Sequence, residues 1–285
     1  MGDSGDTGVS ALASDGSELI NCNYTLYQGI DGKGQVQTRV RVSDITLTYD
    51  GLPTSEMIEW ALDSRTYLNG SLVLYDPNNI PLKKLFFQDA ACVGLHLNFI
   101  SPGKSSVLTQ IKIKPRKLII DGVTIDQKWI DMPDFDDISP SSSDRNSLAN
   151  VLFSIAQTYG KLSLDLFMDG RTYEIENFDI SVEQGSDFKG QPQEEVHAGI
   201  IKFTIPSMPD RNLEQWMMRG DLLKSGVFAF KVGDASSPLK IGFNEAYCIN
   251  MTNQTARGKG VLTNFIISAN EICMNDKYCC NHFKL

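Results

Sequence analysis

The chain repeats itself, and this constrains its fold more than any other feature. Gln28 to Gln35 reads QGIDGKGQ and Gln184 to Gln191 reads QGSDFKGQ, six identities in eight positions at a spacing of 156 residues. The spacing then holds without a gap through Pro53 and Pro209, Trp60 and Trp216, Gly70 and Gly226, and Phe87 and Phe243. FQDAAC (87–92) meets FNEAYC (243–248), after which Val107-Leu108-Thr109 meets Val261-Leu262-Thr263 at a spacing of 154, so one loop is two residues shorter in the second copy. Trp129 and Phe283 keep that spacing and put an aromatic residue near the end of each copy. A period this long marks a duplicated structural unit. The 285 residues suit two domains with two cores: a first copy over 8–130, a linker over 131–160 and a second copy over 161–285.

The linker opens with Asp131 to Ser143, whose Asp, Pro and Ser content reads as a solvated boundary. Its acidic residues lack the alternating loop spacing that wraps oxygen ligands around Ca²⁺. Asp144 then caps a predicted helix over Arg145 to Tyr159, with Leu148, Val151, Leu152 and Ile155 forming an apolar stripe that should dock on one of the two units.

Within each copy, short runs rich in Val, Ile, Thr and aromatic residues alternate with turn residues. Val40 to Tyr49, Ser71 to Tyr75, Val107 to Lys114, Ile200 to Ile205 and Val227 to Lys231 read as strands. One helix stands out per copy, Thr54 to Leu62 and Asp210 to Met218, each following a Pro. Met57, Trp60 and Ala61, like Leu213, Trp216 and Met217, share a helical face, so Trp60 and Trp216 are expected to anchor the helices across one end of each unit. The predicted fold class is mainly β: two tandem antiparallel β-barrels, each with one short α-helix.

Function is narrowed largely by exclusion. A net charge of −9 and a pI near 4.9 speak against a nucleic-acid partner, and KIKPRK (112–117) reads as a strand with a solvated face. No apolar run approaches the roughly 18–20 residues of a membrane-spanning helix. The acidic N-terminus lacks the basic start and apolar run of a secretory signal, which predicts synthesis in the cytoplasm if the native start is not trimmed. Its Met-Gly start has Asp6 where myristoylation needs Ser or Thr. Six cysteines without paired C-x-x-C knuckles read as small buried hydrophobes, and Cys279-Cys280 with His282 leaves a metal ligand missing. His96, His197 and His282 stand in no catalytic or metal pattern. Pro102-Gly103-Lys104-Ser105 ends like a phosphate-binding loop, but Asn98 replaces the first Gly and a strand follows. Gly29, Gly32 and Gly34 are spaced wrongly for dinucleotide binding. Sequons at Asn23, Asn69, Asn250 and Asn253 carry no weight without a signal peptide. No catalytic residue, cofactor or metal is expected, and the chain is read as a non-enzyme.

The order of features in each copy resembles a known family. An opening strand with Cys22-Asn23-Tyr24 is followed by the D-x-K-G-Q loop, a Val/Ile strand, the Trp60 helix and Gly70 before a strand. Asp76 to Phe87 with its Pro-Leu-Lys comes next, and Leu118 to Gly122 with Trp129 closes the copy. This order is similar to that of the Hcp-like tube proteins of type VI secretion systems, particularly the Bacteroidetes form called TssD. The resemblance implies rings of six barrels that stack into a hollow tube, driven through a sheath behind a spike and carrying effectors. It also implies assembly in the cytoplasm and release from the cell on firing. Asp31, Lys33, Gly34, Gln35 and Val36, with Asp187, Lys189, Gly190, Gln191 and Pro192, match the family's extended loop, which packs on a neighbouring barrel. The plainer reading of these residues is a hairpin loop that uses Gly for positive φ.

Two departures matter: Val36 stands where the loop usually has Pro, and the barrel is fused in tandem. Three chains could supply one ring, or the two barrels could sit in successive rings. A specialised adaptor, cap or cargo carrier of the same apparatus, and a two-domain extracellular binding module, are the alternative functions.

Overall fold

A computed structural model of the chain describes residues 9–11, 17–76, 78, 80–101, 105–129, 162–187, 189, 191–233, 237–256 and 260–281. The predicted linker helix, the acidic segment before it, Lys104, His282 and Phe283 lie outside the described residues.

The first copy contributes β1 (Val9–Ala11), β2 (Ser17–Leu19), β3 (Asn21–Asn23), β4 (Leu26–Tyr27), β5 (Arg41–Val42), β6 (Ile45–Asp50), α1 (Ser55–Leu62), β7 (Tyr67–Tyr75), β8 (Pro81–Ile100), β9 (Ser106–Ile120) and β10 (Val123–Asp126). The second contributes β11 (Leu162–Met168), β12 (Arg171–Ile175), β13 (Asn177–Ser186), β14 (Pro192–His197), β15 (Ile200–Ile205), α2 (Arg211–Met218), β16 (Lys224–Val232), β17 (Leu239–Ala256), β18 (Gly260–Met274) and β19 (Lys277–Cys280).

All pairings are antiparallel, and the ladder order is the same twice: β2-β1-β7-β8-β9-β6-β3 and β12-β11-β16-β17-β18-β15-β13. The two ends of each order are consecutive in the chain. β2 runs into β3 through Ile20 and β12 into β13 through Glu176, and these two amides donate to the Thr48 and Thr204 carbonyls, both at 2.8 Å. Each sheet is thereby curled into a barrel-like wall. Alternation drives the curling: in β11, Leu162, Leu164, Leu166 and Met168 point inward while Ser163, Asp165 and Phe167 point out.

The predicted Val40–Tyr49 strand is broken at Ser43-Asp44. Ser43 there donates its amide to the Thr25 carbonyl and accepts from the Thr25 amide on its hydroxyl, so the chain leaves β4 before joining β3 and β9 as β6. The shorter loop of the second copy is the β17–β18 hairpin, which pairs Ala256 with Gly260 where β8–β9 pairs Ile100 with Ser106.

The helices are built alike. Thr54 and Asp210 cap them, accepting from the Met57 and Leu213 amides at 3.2 and 3.0 Å. Trp60 and Trp216 are buried, and their indole N–H groups donate to the Ala90 and Ala246 carbonyls at 3.2 and 2.9 Å. FQDAAC and FNEAYC therefore match because the helix anchor needs a bulge there: Asp89 and Glu245 take φ of 48° and 49°, and their amides are held by Asn69 and Ser225.

The expected pair of separate cores is not what forms. One apolar cluster runs through both copies. Phe99 of β8 packs edge-on against Phe230 of β16, ring centroids 5.7 Å apart, because β8 and β13 join the two sheets edge to edge.

Candidate assembly interface

The D-x-K-G-Q loops close in the same way in both copies. The Asp31 carboxylate accepts from the Lys33 and Gln35 amides, both at 2.8 Å, while the Asp31 amide donates to the Gln35 carbonyl at 2.9 Å. Asp187 does the same with Lys189 and Gln191, at 2.8 and 2.9 Å, and with the Gln191 carbonyl at 2.9 Å. Gly34 supplies the left-handed turn at φ 81°. Gly190, its counterpart, lies outside the described residues. Val36 bridges Ile30 just as Pro192 pairs with Ser186, so the Pro-to-Val change leaves the loop's exit unaltered. A third loop shares the device: Asp76 accepts from the Asn78 and Ile80 amides, both at 2.8 Å. The shared letters of the motif are thus those of an Asp-closed hairpin turn.

What differs between the two loops is their surroundings. The second loop sits against the first copy, where the Trp129 indole N–H donates to the Lys189 carbonyl at 3.2 Å. Trp129 itself covers Ala91, Val93 and Tyr67. The strand leading to that loop, β13, pairs with β8 over seven positions, from Asn177 opposite Ile100 to Glu183 opposite Gly94. The first loop tips an arm built on the β4–β5 ladder, whose Leu26, Tyr27, Ile30 and Val36 are exposed. Leu26 is 43% exposed, while its counterpart Val182, facing Leu95 of β8, is 1% exposed.

The seam between the copies is partly charged. His96 Nε2 lies 2.6 Å from Asp179 Oδ2, Asn98 donates to the same oxygen at 3.3 Å, and Lys202 stands 3.9 Å from Asp179 Oδ1. At the helix end, Lys277 Nζ and Glu59 Oε1 are 2.9 Å apart. The seam escaped the sequence reading, although the contrast between copies marks it. Gly94 to Ile100 reads GLHLNFI, whereas the matching Asn250 to Ala256 reads NMTNQTA. Apolar residues at alternate positions on one copy only, Leu95, Leu97 and Phe99 against Met251, Asn253 and Thr255, mark a strand with one face buried against a neighbour.

Other candidate chemistry disperses. Burial pushes the thiols of Cys22 and Cys248 up to about 11 and that of Cys92 to about 12, which leaves little thiolate at neutral pH. Cys279 donates to the Val196 carbonyl and Cys280 to Glu271, on opposite faces of β19. Cys279 is buried as expected, but Cys280, like Cys22 and Cys273, is only half-buried. His197 is exposed on β14. Arg116, in the basic run, is buried in an ion pair with Asp89 at 2.9 Å, and its counterpart Asn270 holds Glu245 at 3.0 Å. Among the described residues no three His, Cys, Asp or Glu side chains converge as metal ligands, and no helix is long and apolar enough to cross a membrane.

A sequence model of the family described as hemolysin coregulated protein Hcp (TssD) matches residues 11–130 and again residues 160–283. Among solved structures, the chain is similar to Hcp1 from Flavobacterium johnsoniae, with 24% identity, TM-score 0.39, and coverage of 42% of this chain and 99% of that one. It is also similar to Hcp1 from Salmonella typhimurium, with 12% identity, TM-score 0.34, and coverage of 40% and 85%. A variant of Hcp1 from E. coli EAEC 042 gives 11% identity, TM-score 0.34, and coverage of 44% and 94%. No curated protein matches.

Proposed function

Because the chain belongs to the Hcp (TssD) family, with both of its halves matching, we propose that it is a structural component of a type VI secretion tube. In this reading it works by self-association: two barrels, over 8–130 and 161–285 and joined by segment 131–160, stand side by side in one ring. Three chains complete six barrel positions. The rings stack into a hollow tube that meets sheath, spike and effector proteins, assembles in the cytoplasm and leaves the cell on firing. The chain carries no catalytic role.

The observation that carries this reading is the β8–β13 ladder, with the second copy's D-x-K-G-Q loop seated on the first copy. A head-to-tail joint between two like units is heterologous, and repetition of a heterologous joint gives a ring when the rotation closes. Asp31 to Val36 and Asp187 to Pro192 are then interface loops, the second used within the chain and the first offered to the next chain. Among the described residues, β3–β4 and the 250–256 part of β17 each have one side without a paired strand, as a unit with two unused ends requires.

Native mass by light scattering on a sizing column, followed by negative-stain imaging, tests the proposal. A three-chain particle with a central hole is the expected result. A smallest particle of six chains, with no three-chain ring at any concentration, would place the barrels in successive rings instead. A single chain at every concentration would overturn the ring and favour a specialised adaptor.

A further inference from the structure

We infer that consecutive chains join through a second seven-residue ladder, Asn21–Tyr27 of one chain against Asn250–Ala256 of the next, built without ion pairs. The inference rests on the ring reading and names the surface that closes the ring. The repeat fixes the register. β13 residues 177–183 correspond to 21–27, and β8 residues 94–100 correspond to 250–256, with Cys92/Gly94 and Cys248/Asn250 marking the same bulge in both. Transferring the internal register puts Asn23 opposite Gln254, Thr25 opposite Thr252 and Leu26 opposite Met251.

Two observations point to a second copy as the occupant. First, neither free edge is guarded: Asn21–Tyr27 (NCNYTLY) and Asn250–Ala256 (NMTNQTA) contain no charge and no Pro. Exposed edges normally carry such residues to prevent pairing. Second, each group in the ion pairs of the internal seam has an uncharged counterpart at the free ends. His96 becomes Thr252, Asp179 becomes Asn23, Lys202 becomes Thr46, Glu59 becomes Gln215 and Lys277 becomes Val123. The substitutions fall on both sides of the joint together, so neither ladder strand presents a charge, and Asp31 and Lys33 lie beyond the ladder in the loop. Val123 of β10 and Met218 of α2, three positions after Gln215, are both exposed.

The joint is therefore made mainly of main-chain hydrogen bonds, amides and hydroxyls, with Leu26 against Met251, and it differs from the internal seam, where Phe178, Ile180 and Val182 face Phe99, Leu97 and Leu95. Raising salt from about 0.1 to 1 M, which shortens the Debye length from roughly 10 to 3 Å, should change its dissociation constant by less than about threefold.

Full-length protein carrying Asn23→Cys with Gln254→Cys tests the register. Directly opposed residues lie about 4.5–5.5 Å apart at Cα, within disulfide range, whereas a diagonal pair is about 7–8 Å apart. Mild oxidation should give covalent trimers on non-reducing gels, while Asn23→Cys with Thr252→Cys, and each single variant, should not. Circular dichroism of the single variants checks folding. Three-chain particles from the unsubstituted protein without cross-linking of the opposed pair would overturn this ladder and leave the ring reading standing. Absence of any multi-chain particle would overturn the ring reading first. Marked dissociation in salt would overturn the uncharged joint.

Discussion

Several of the repeat's invariant residues are single-atom necessities. Gly226 matches Gly70, and a methyl group added at Gly226 would stand 2.8 Å from the Phe243 ring and 2.9 Å from the Phe167 carbonyl oxygen. Gly226→Ala should cost about 1–3 kcal/mol, since the ring can yield but the carbonyl is held in the β11–β16 ladder. Gly220→Ala, with open space around it, should stay within about 0.5 kcal/mol of the parent. Urea midpoints of the two variants check this. Trp60 and Trp216 belong to the same class, since each fills the end of its barrel and each indole N–H has its own carbonyl to satisfy.

At the scale of elements, two loops with the same hydrogen bonds should respond differently to the same change. Asp187→Ala removes a charged acceptor from two amides in a loop packed on the first copy, and should lower the stability of the single chain by about 1–2 kcal/mol. Asp31→Ala frays the exposed tip of the first copy's arm. It should leave the urea midpoint of the dissociated chain nearly unchanged while raising the dissociation constant of the assembly about tenfold, a difference of about 1.4 kcal/mol. Equal effects of both changes on both measurements would remove the distinction between a used loop and an offered one.

For the whole molecule, the proposed ring predicts joints that alternate in strength. Inside the chain, β8 and β13 bring Phe99, Phe178 and Phe230 into one core, and each buried side chain of this size contributes roughly 1.5–3 kcal/mol. In the proposed joint between chains, the matching strands are uncharged and more polar, and covalent linkage no longer holds the partners together. Dilution should therefore release intact two-barrel chains. Sedimentation would show the mass falling from three chains to one while the far-UV spectrum stays constant, and the scattering profile of the diluted protein should still fit two touching barrels.

The sequence by itself determined what is local or repeated. Alternation and turn residues marked most strands, Pro followed by a Thr or Asp cap marked both helices, and the period of 156 announced two like units whose feature order pointed to the Hcp family. It located the D-x-K-G-Q loops because their Asp, Lys-Gly and Gln positions answer to hydrogen bonds closed within five residues. Only the tertiary structure decided where the copies meet. The break at Ser43-Asp44 depends on which strands lie on either side, and the His96–Asp179 contact joins residues 83 apart. The single core arises because β13 adds itself to the edge of β8. Edge pairing is made by backbone groups that every residue carries, so no local pattern names the partner strand. The side chains reveal it only afterwards, through the apolar and charged residues that one copy has and the other lacks.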